Sequence, residues 1–290
     1  MKIIDRLSSG KVTVSCELFP PKAGKPLEDA KRIVRETAKL SPSYISVTCG
    51  AGGTTNDNTI EIASEVQRAC GCTALAHVVC MGSTKEKIAA QLRQLKSHGI
   101  ENVLALRGDV PLTGDTSRDY EHASDLIEEI ARNHDFCIGA ACYPEGHPES
   151  PSLRNDIDGL KRKIDAGAQF LTTQMFFDNN ILYNFMFRLL RAGVNVPVTA
   201  GIMPITDARQ IERTIKLSNA SLPQRFYMIV DRFRDRPASM KQAGIAYATE
   251  QIIDLIANGI DNIHIYTMNK PDIAGSIIHN LSEIFDNSVS

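Results

Sequence analysis

The chain has 290 residues, 43% hydrophobic and 23% charged, with 19 glycines and 13 prolines, a composition that excludes disordered, collagen-like and coiled-coil architectures. Its 32 basic and 34 acidic residues leave a formal net charge of −2, so no basic field marks it for nucleic acid or for an anionic membrane surface, and small molecules or proteins are the expected partners. Seven scattered cysteines, an odd number, do not form a disulfide framework, and the opening MKIIDRLSSGKV has no apolar signal core; with no apolar run long enough for a membrane span, the expected location is the cytoplasm.

Eight apolar, β-rich runs follow one another: VTVSCELF at 12–19, YISVTCG at 44–50, TALAHVVC at 73–80, NVLALRG at 102–108, CIGAACY at 137–143, FLTTQMFF at 170–177, VPVTAGIM at 196–203 and NIHIYTMN at 262–269. They are apolar on both faces, the pattern of parallel strands covered by helices. Between them lie amphipathic runs of helical period: LEDAKRIVRETAKL, TIEIASEVQRAC, STKEKIAAQLRQLKSHG, HASDLIEEIARN, LRNDIDGLKRKIDAGA, NILYNFMFRLLRAG and DARQIERTIKLSN. In the third of these Ile88, Leu92 and Leu95 share a face, Ser83 with Glu86 predicts the start and Gly99 the stop. The irregular stretch 217–239 has room for one short extra helix, and ASMKQAGIAYATEQIIDLIANG ends the helical series at Gly259. Eight strand and helix units at a repeat of roughly 30 residues, without a linker, predict a single α/β domain over residues 1–290, a (β/α)8 TIM barrel with no regulatory domain.

In such a barrel the chemistry belongs at the C-terminal ends of the strands. Those ends offer Glu17, Thr48, His77, Arg107 with Asp109, Tyr143 with His147, Gln174 and Tyr266. Glu17 lies in an apolar strand just before Pro20 and Pro21; burial there would raise its pKa and let it hold a proton near neutrality, the alternative being a structural glutamate paired to a neighbour. Gly108 permits close backbone approach beside Asp109, and the RGD triplet that the two share with Arg107 is a strand end rather than an adhesion motif. GAGGTTNDN at 50–58 lacks the third glycine and the later acidic residue of a dinucleotide turn. His77, His147 and the Cys70–Cys72 pair have no metal-ligand spacing, so no metal is expected. Lys161, Arg162 and Lys163 form either a phosphate clamp or a solvated helix face. No nucleophile elbow, P-loop or kinase set is present, which leaves cofactor-dependent chemistry as the best fit.

The ordered series CELFPPK, ISVTCGAGG, AHVVC, NVLALRGD, HASDL, AACYPEGHPE, LKRKIDAGAQFLTTQMFFD, AGIMPI and IHIYTMNK resembles the methylenetetrahydrofolate reductase family, over nearly the whole chain. The resemblance implies a noncovalent FAD at the C-terminal face, reduced by NADH or NADPH, and reduction of 5,10-methylenetetrahydrofolate to 5-methyltetrahydrofolate in one-carbon and methionine metabolism. It implies that Glu17 is the general acid and that Asp109 lies beside flavin and folate. Gln174, Gln210 and Lys270 join Glu17 and Asp109 in binding the folate. FAD is implied to be held by Thr48, Ala51, His77, Arg107, Gly108, Asp109, Ala123, Tyr143, His147, Asp156, Arg162 and Lys163, the last two moving the basic cluster toward diphosphate binding.

Cys49, His122 and Gly159 depart from family residues near the flavin, Lys270 replaces an arginine at the folate tail, and Thr214 stands where a relative has a large aromatic. That last change keeps open an electron-delivering partner subunit in place of a nicotinamide. Relatives imply a homo-oligomer. The competing expectations are a flavin-free pterin-binding barrel methyltransferase working with a corrinoid partner, and a barrel without catalysis that binds another protein.

Overall fold

The computed structural model describes residues 1–21, 26–49, 56–109, 119–218 and 220–286. Eight parallel strands close into a barrel in sequence order: β1 (Thr13–Leu18), β2 (Tyr44–Val47), β3 (Ala74–Val79), β4 (Asn102–Leu106), β5 (Cys137–Cys142), β6 (Phe170–Thr173), β7 (Val198–Ile202) and β8 (Asn262–Tyr266). Each lies within its expected run; the residues trimmed from the C-terminal ends form the rim. The last strand pairs with the first, Ser15 opposite His264 and Glu17 opposite Tyr266, so chain ends some 250 residues apart become neighbours.

The surrounding helices are α1 (Ile3–Leu7), α2 (Leu27–Ala38), α3 (Asn56–Ser64, continued by a π-turn at Glu65–Ala69), α4 (Lys85–Ser97), α5 (Ala123–Asn133), α6 (Leu153–Asp165), α7 (Asn179–Arg191), α8 (Ile211–Ser218, led in by a 3₁₀ turn at Ala208–Gln210), α9 (Gln224–Phe233), α10 (Pro237–Ala257), α11 (Pro271–Asn280) and α12 (Ser282–Asp286). Helix α4 buries Ile88, Leu92 and Leu95 as its period requires. Its cap is Thr84 rather than Ser83: Thr84 is the last extended residue, and its hydroxyl accepts from the Lys87 N–H. Gly99 and Gly259 end their helices with φ of 76° and 79°, the left-handed turn that glycine adopts without a Cβ clash. The irregular stretch holds α9, whose Phe226 stacks on Phe177 at 5.4 Å.

The N-terminal end of the barrel is plugged. Ile3 and Leu7 of α1 pack with Tyr44, Leu75, Leu104, Cys137 and Phe170, and the Asn102 side chain accepts the Ile3 N–H at 2.8 Å. Gly139 makes room for the plug, because a Cβ there would overlap the Phe170 ring. With that end sealed by apolar side chains, access to the interior is from the C-terminal rim, where loops lengthen.

Candidate active site

Alternation along the strands decides what faces the barrel axis. In β1, Val14, Cys16 and Leu18 join the core between strands and helices, which turns Ser15 and Glu17 inward. Parallel register then sets Ser15 beside Tyr44 and Glu17 beside Ser46. The upper interior is therefore polar, where barrels of this class usually carry Val, Ile and Leu.

Glu17 lies at the centre of this layer, only 7% exposed. One of its oxygens, Oε2, is 3.8 Å from His77 Nε2 and 3.8 Å from His264 Nε2. His77 Nε2 is also 2.7 Å from the Ser46 hydroxyl. His264 is held more tightly: Tyr44 stacks on its ring at 6.1 Å, the Tyr266 ring meets it edge-on at 5.1 Å, and Nδ1 is 2.7 Å from Ser15 Oγ. The Ser15 hydroxyl donates to the Ile263 carbonyl, so its one proton is committed and His264 Nδ1–H must be the donor to it. His264 Nε2 then faces the Glu17 carboxyl group across 3.8 Å.

Burial lowers the His77 pKa from 6.5 to about 4; the Glu17 carboxylate opposes the shift and His264 adds to it. The unfolded chain binds a proton at His77 below pH 6.5, whereas the folded chain does so only near 4. Stability from this group is thus present above pH 6.5 and is lost as pH falls from there to 4, by about 3 kcal/mol in all. Urea unfolding of wild type and His77→Gln at pH 7.5 and 4.5 is expected to show a smaller acid loss in the variant; equal losses would remove His77 as the cause.

The rim gathers most of the other sequence candidates. Arg107 donates both arms of its guanidinium to Glu149 at 2.6 and 2.9 Å, which raises its pKa and ties the end of β4 to the loop after β5. Asp109 is exposed beside it, close enough to help burial push up the Tyr143 hydroxyl. Tyr143 meets His147 edge-on at 4.6 Å. Gly108 has φ of 85°, and a Cβ there would overlap Val79. The Thr48 hydroxyl is buried without a hydrogen-bond partner among the described residues. Gln174 folds its carbonyl onto the Met175 N–H, Gln210 ends the 3₁₀ turn capped by Asp207, Ala123 opens α5 and Lys270 precedes α11. Ala51 lies outside the described residues.

The basic cluster does not act as one patch. Lys161 and Arg162 are exposed, whereas Lys163 turns inward and donates to the Ala141 carbonyl at 2.8 Å. Burial lowers the Lys163 pKa and raises that of Asp156, outweighing their mutual attraction. Two poorly solvated, oppositely charged groups beside the His147 loop suit a polar or anionic group that would desolvate them further only in exchange for hydrogen bonds. Among the described residues no three His, Cys, Asp or Glu side chains cluster to hold a metal ion.

Sequence reasoning missed Ser15, Ser46 and His264. The usable signal was alternation: polar residues every second position in strands otherwise apolar, at Ser15 and Glu17 and at His264 and Tyr266.

The family model for methylenetetrahydrofolate reductase matches residues 2–282. A 5,10-methylenetetrahydrofolate reductase of Pectobacterium carotovorum is 31% identical over 94% of this chain and 91% of its own length. Methylenetetrahydrofolate reductase (NADH) 1 of Arabidopsis thaliana is 33% identical over the whole of this chain, which spans 52% of that relative. Among solved structures, an uncharacterized protein from Clostridium thermocellum that binds two copies of 5-methyl-5,6,7,8-tetrahydrofolic acid superposes with a TM-score of 0.69 over 99% of this chain and 98% of its own, at 16% identity, a likeness of fold. Sequence match along the chain, barrel and polar interior lead to one conclusion: the chain belongs to the methylenetetrahydrofolate reductase family.

Proposed function

We propose that this chain reduces 5,10-methylenetetrahydrofolate to 5-methyltetrahydrofolate in the cytoplasm, with FAD as its resident cofactor and NADH, NADPH or a partner subunit as the electron source. The observation that carries the reading is Glu17, a carboxyl group buried at the top of the barrel with an imidazole on either side. Opening the bridging ring of methylenetetrahydrofolate requires a proton at a nitrogen, and a carboxyl group buried from water at the rim end of the barrel is placed to supply it. Asp109 offers a fixed negative charge to the cationic folate formed on opening, Gln174 and Gln210 offer amides to the pterin, and Lys270 attracts the carboxylates of the folate tail.

The rim fits FAD on its own chemistry. An orphaned buried hydroxyl at Thr48, a glycine backbone at Gly108 that no larger residue could replace, and the cations Arg107, Arg162 and Lys163 suit a planar group with a diphosphate. Asp156, His147 and Tyr143 complete the wall on that side. When bound, FAD supplies the hydride chemistry that no side chain offers; the protein orients it, excludes water and delivers the proton. The assembly we propose is a homo-oligomer.

Protein incubated with FAD and freed of unbound cofactor by gel filtration is expected to retain visible flavin bands. Lys163→Met is expected to weaken FAD binding roughly tenfold, the loss of about one charge-assisted hydrogen bond. A protein that retains no flavin after incubation with FAD and removal of the unbound cofactor by gel filtration, yet binds folate, would instead support the pterin-binding methyltransferase reading.

A further inference from the structure

The polypeptide at Glu17 and just beyond it is held by side chains of a single turn. After Tyr266 the chain leaves the sheet and reverses over Thr267, Met268, Asn269 and Lys270, with the Lys270 N–H donating to the Thr267 carbonyl at 3.0 Å. Met268 and Asn269 have φ of 52° and 57°, so both central residues are left-handed, as in a type I′ turn. Asparagine tolerates that conformation; methionine is strained in it. Something must hold the turn in this shape.

The side chains of the turn do so by continuing the β1 and β8 pairing where the backbone no longer can. Backbone register between the two strands ends at Glu17 opposite Tyr266. Beyond it, the buried Thr267 hydroxyl donates to the Glu17 carbonyl at 2.7 Å and accepts from the Asn269 N–H at 3.2 Å. The Asn269 amide then acts as a surrogate peptide: its Oδ1 accepts from the Phe19 N–H at 2.8 Å and its Nδ2 donates to the Phe19 carbonyl at 3.0 Å. On the other side of β1 the Thr48 N–H donates to Leu18. Residues 17, 18 and 19 are thus pinned from both edges, and Lys270 follows directly from the same turn.

We propose that Thr267 and Asn269 are positioning residues for folate reduction, joining the backbone of Glu17 to the turn that carries Lys270 so that acid and substrate-tail contact move as one unit. The proposal rests on the reductase reading above. Neither side chain needs to touch the reacting atoms; the effect runs through the direction in which Glu17 presents its carboxyl group. A displacement well under 1 Å at a proton donor is enough to slow the step it serves.

The test separates the two half-reactions of the holoenzyme. Thr267→Val keeps shape and removes the hydroxyl, Thr267→Ser restores it, and Asn269→Gly keeps the left-handed backbone while removing both bonds to Phe19. In stopped-flow measurements Thr267→Val and Asn269→Gly are expected to slow flavin reoxidation by methylenetetrahydrofolate roughly tenfold, with flavin reduction by the nicotinamide within about twofold of wild type and Thr267→Ser recovering the folate rate. Wild-type folate rates in both Thr267→Val and Asn269→Gly, or equal losses in both half-reactions, would overturn the positioning role while leaving the reductase reading intact. A wild-type holoenzyme that never reduces the folate would overturn that reading, and this proposal with it. Should Thr267→Val fail to fold, Asn269→Gly carries the comparison.

Discussion

A Glu17→Gln holoenzyme is expected to accept electrons from a nicotinamide at close to the wild-type rate and to reduce methylenetetrahydrofolate roughly 10²- to 10⁴-fold more slowly, the usual contribution of a positioned general acid. The amide matches the carboxyl group in size and keeps an oxygen and a donor near His77 and His264, so the packing of the upper barrel is preserved. What it loses is a transferable proton. Two neighbours are poor substitutes: His77 is held neutral by burial, with its pKa lowered to about 4, and the Tyr266 hydroxyl, donating to the Thr173 carbonyl at 2.6 Å, has its pKa pushed well above its ordinary value. Neither can replace Glu17 near neutral pH. Rapid-mixing measurement of each half-reaction checks this, and retained folate turnover would remove Glu17 from the acid role.

The largest expected effect on stability is at Gly244, far from the chemistry. Helix α10 packs over the loop after β7 so closely that a Cβ at Gly244 would overlap the Ile205 carbonyl and lie 3.4 Å from the Thr206 Cα. These are main-chain atoms of a buried segment, so no rotamer change relieves the contact; helix and loop must separate. Gly244→Ala is expected to cost about 3 kcal/mol, the upper part of the range for overpacking. Because that loop runs on into Asp207 and Gln210, folate affinity should weaken along with the thermal midpoint. Gly159→Ala in α6 is the matched control: its Cβ would meet nothing nearer than an Arg162 nitrogen at 3.6 Å, and replacing a helical glycine should leave stability unchanged or raise it by up to about 1 kcal/mol. Equal effects of the two substitutions would contradict the account of α10.

Much of the fold was legible because its signals are local. Apolar β-rich runs marked all eight strands, although the inner faces of β1, β2 and β8 carry the polar Ser15, Glu17, Ser46 and His264; the stops at Gly99 and Gly259 followed from the requirement for a left-handed residue. The cap of α4 was misplaced by one residue because Ser83 and Thr84 are both competent caps, and only the extended backbone at Thr84 decides between them. At the site, Glu17 stood out as a charge in an apolar strand. Its partners did not, since His264, Thr267 and Asn269 reach Glu17 and Phe19 only when β8 closes on β1, across about 250 residues. The run Lys161, Arg162 and Lys163 looks uniform in sequence, yet helical geometry sends Lys163 inward to Ala141 and leaves the other two in solvent. Contacts set by barrel closure, rather than by neighbours in the chain, are what the pattern of residues could not display.

Anaerobic bleaching of the flavin tests the central claim most directly. The FAD-loaded protein is mixed separately with NADH and NADPH, the visible flavin band is followed, and methylenetetrahydrofolate is then added without oxygen. Once the band has been bleached by a nicotinamide or, where neither acts, by dithionite, the predicted result is its full return on adding the folate, with 5-methyltetrahydrofolate formed in equal amount to the flavin. A flavin that bleaches but is not reoxidised by methylenetetrahydrofolate would contradict the proposed activity.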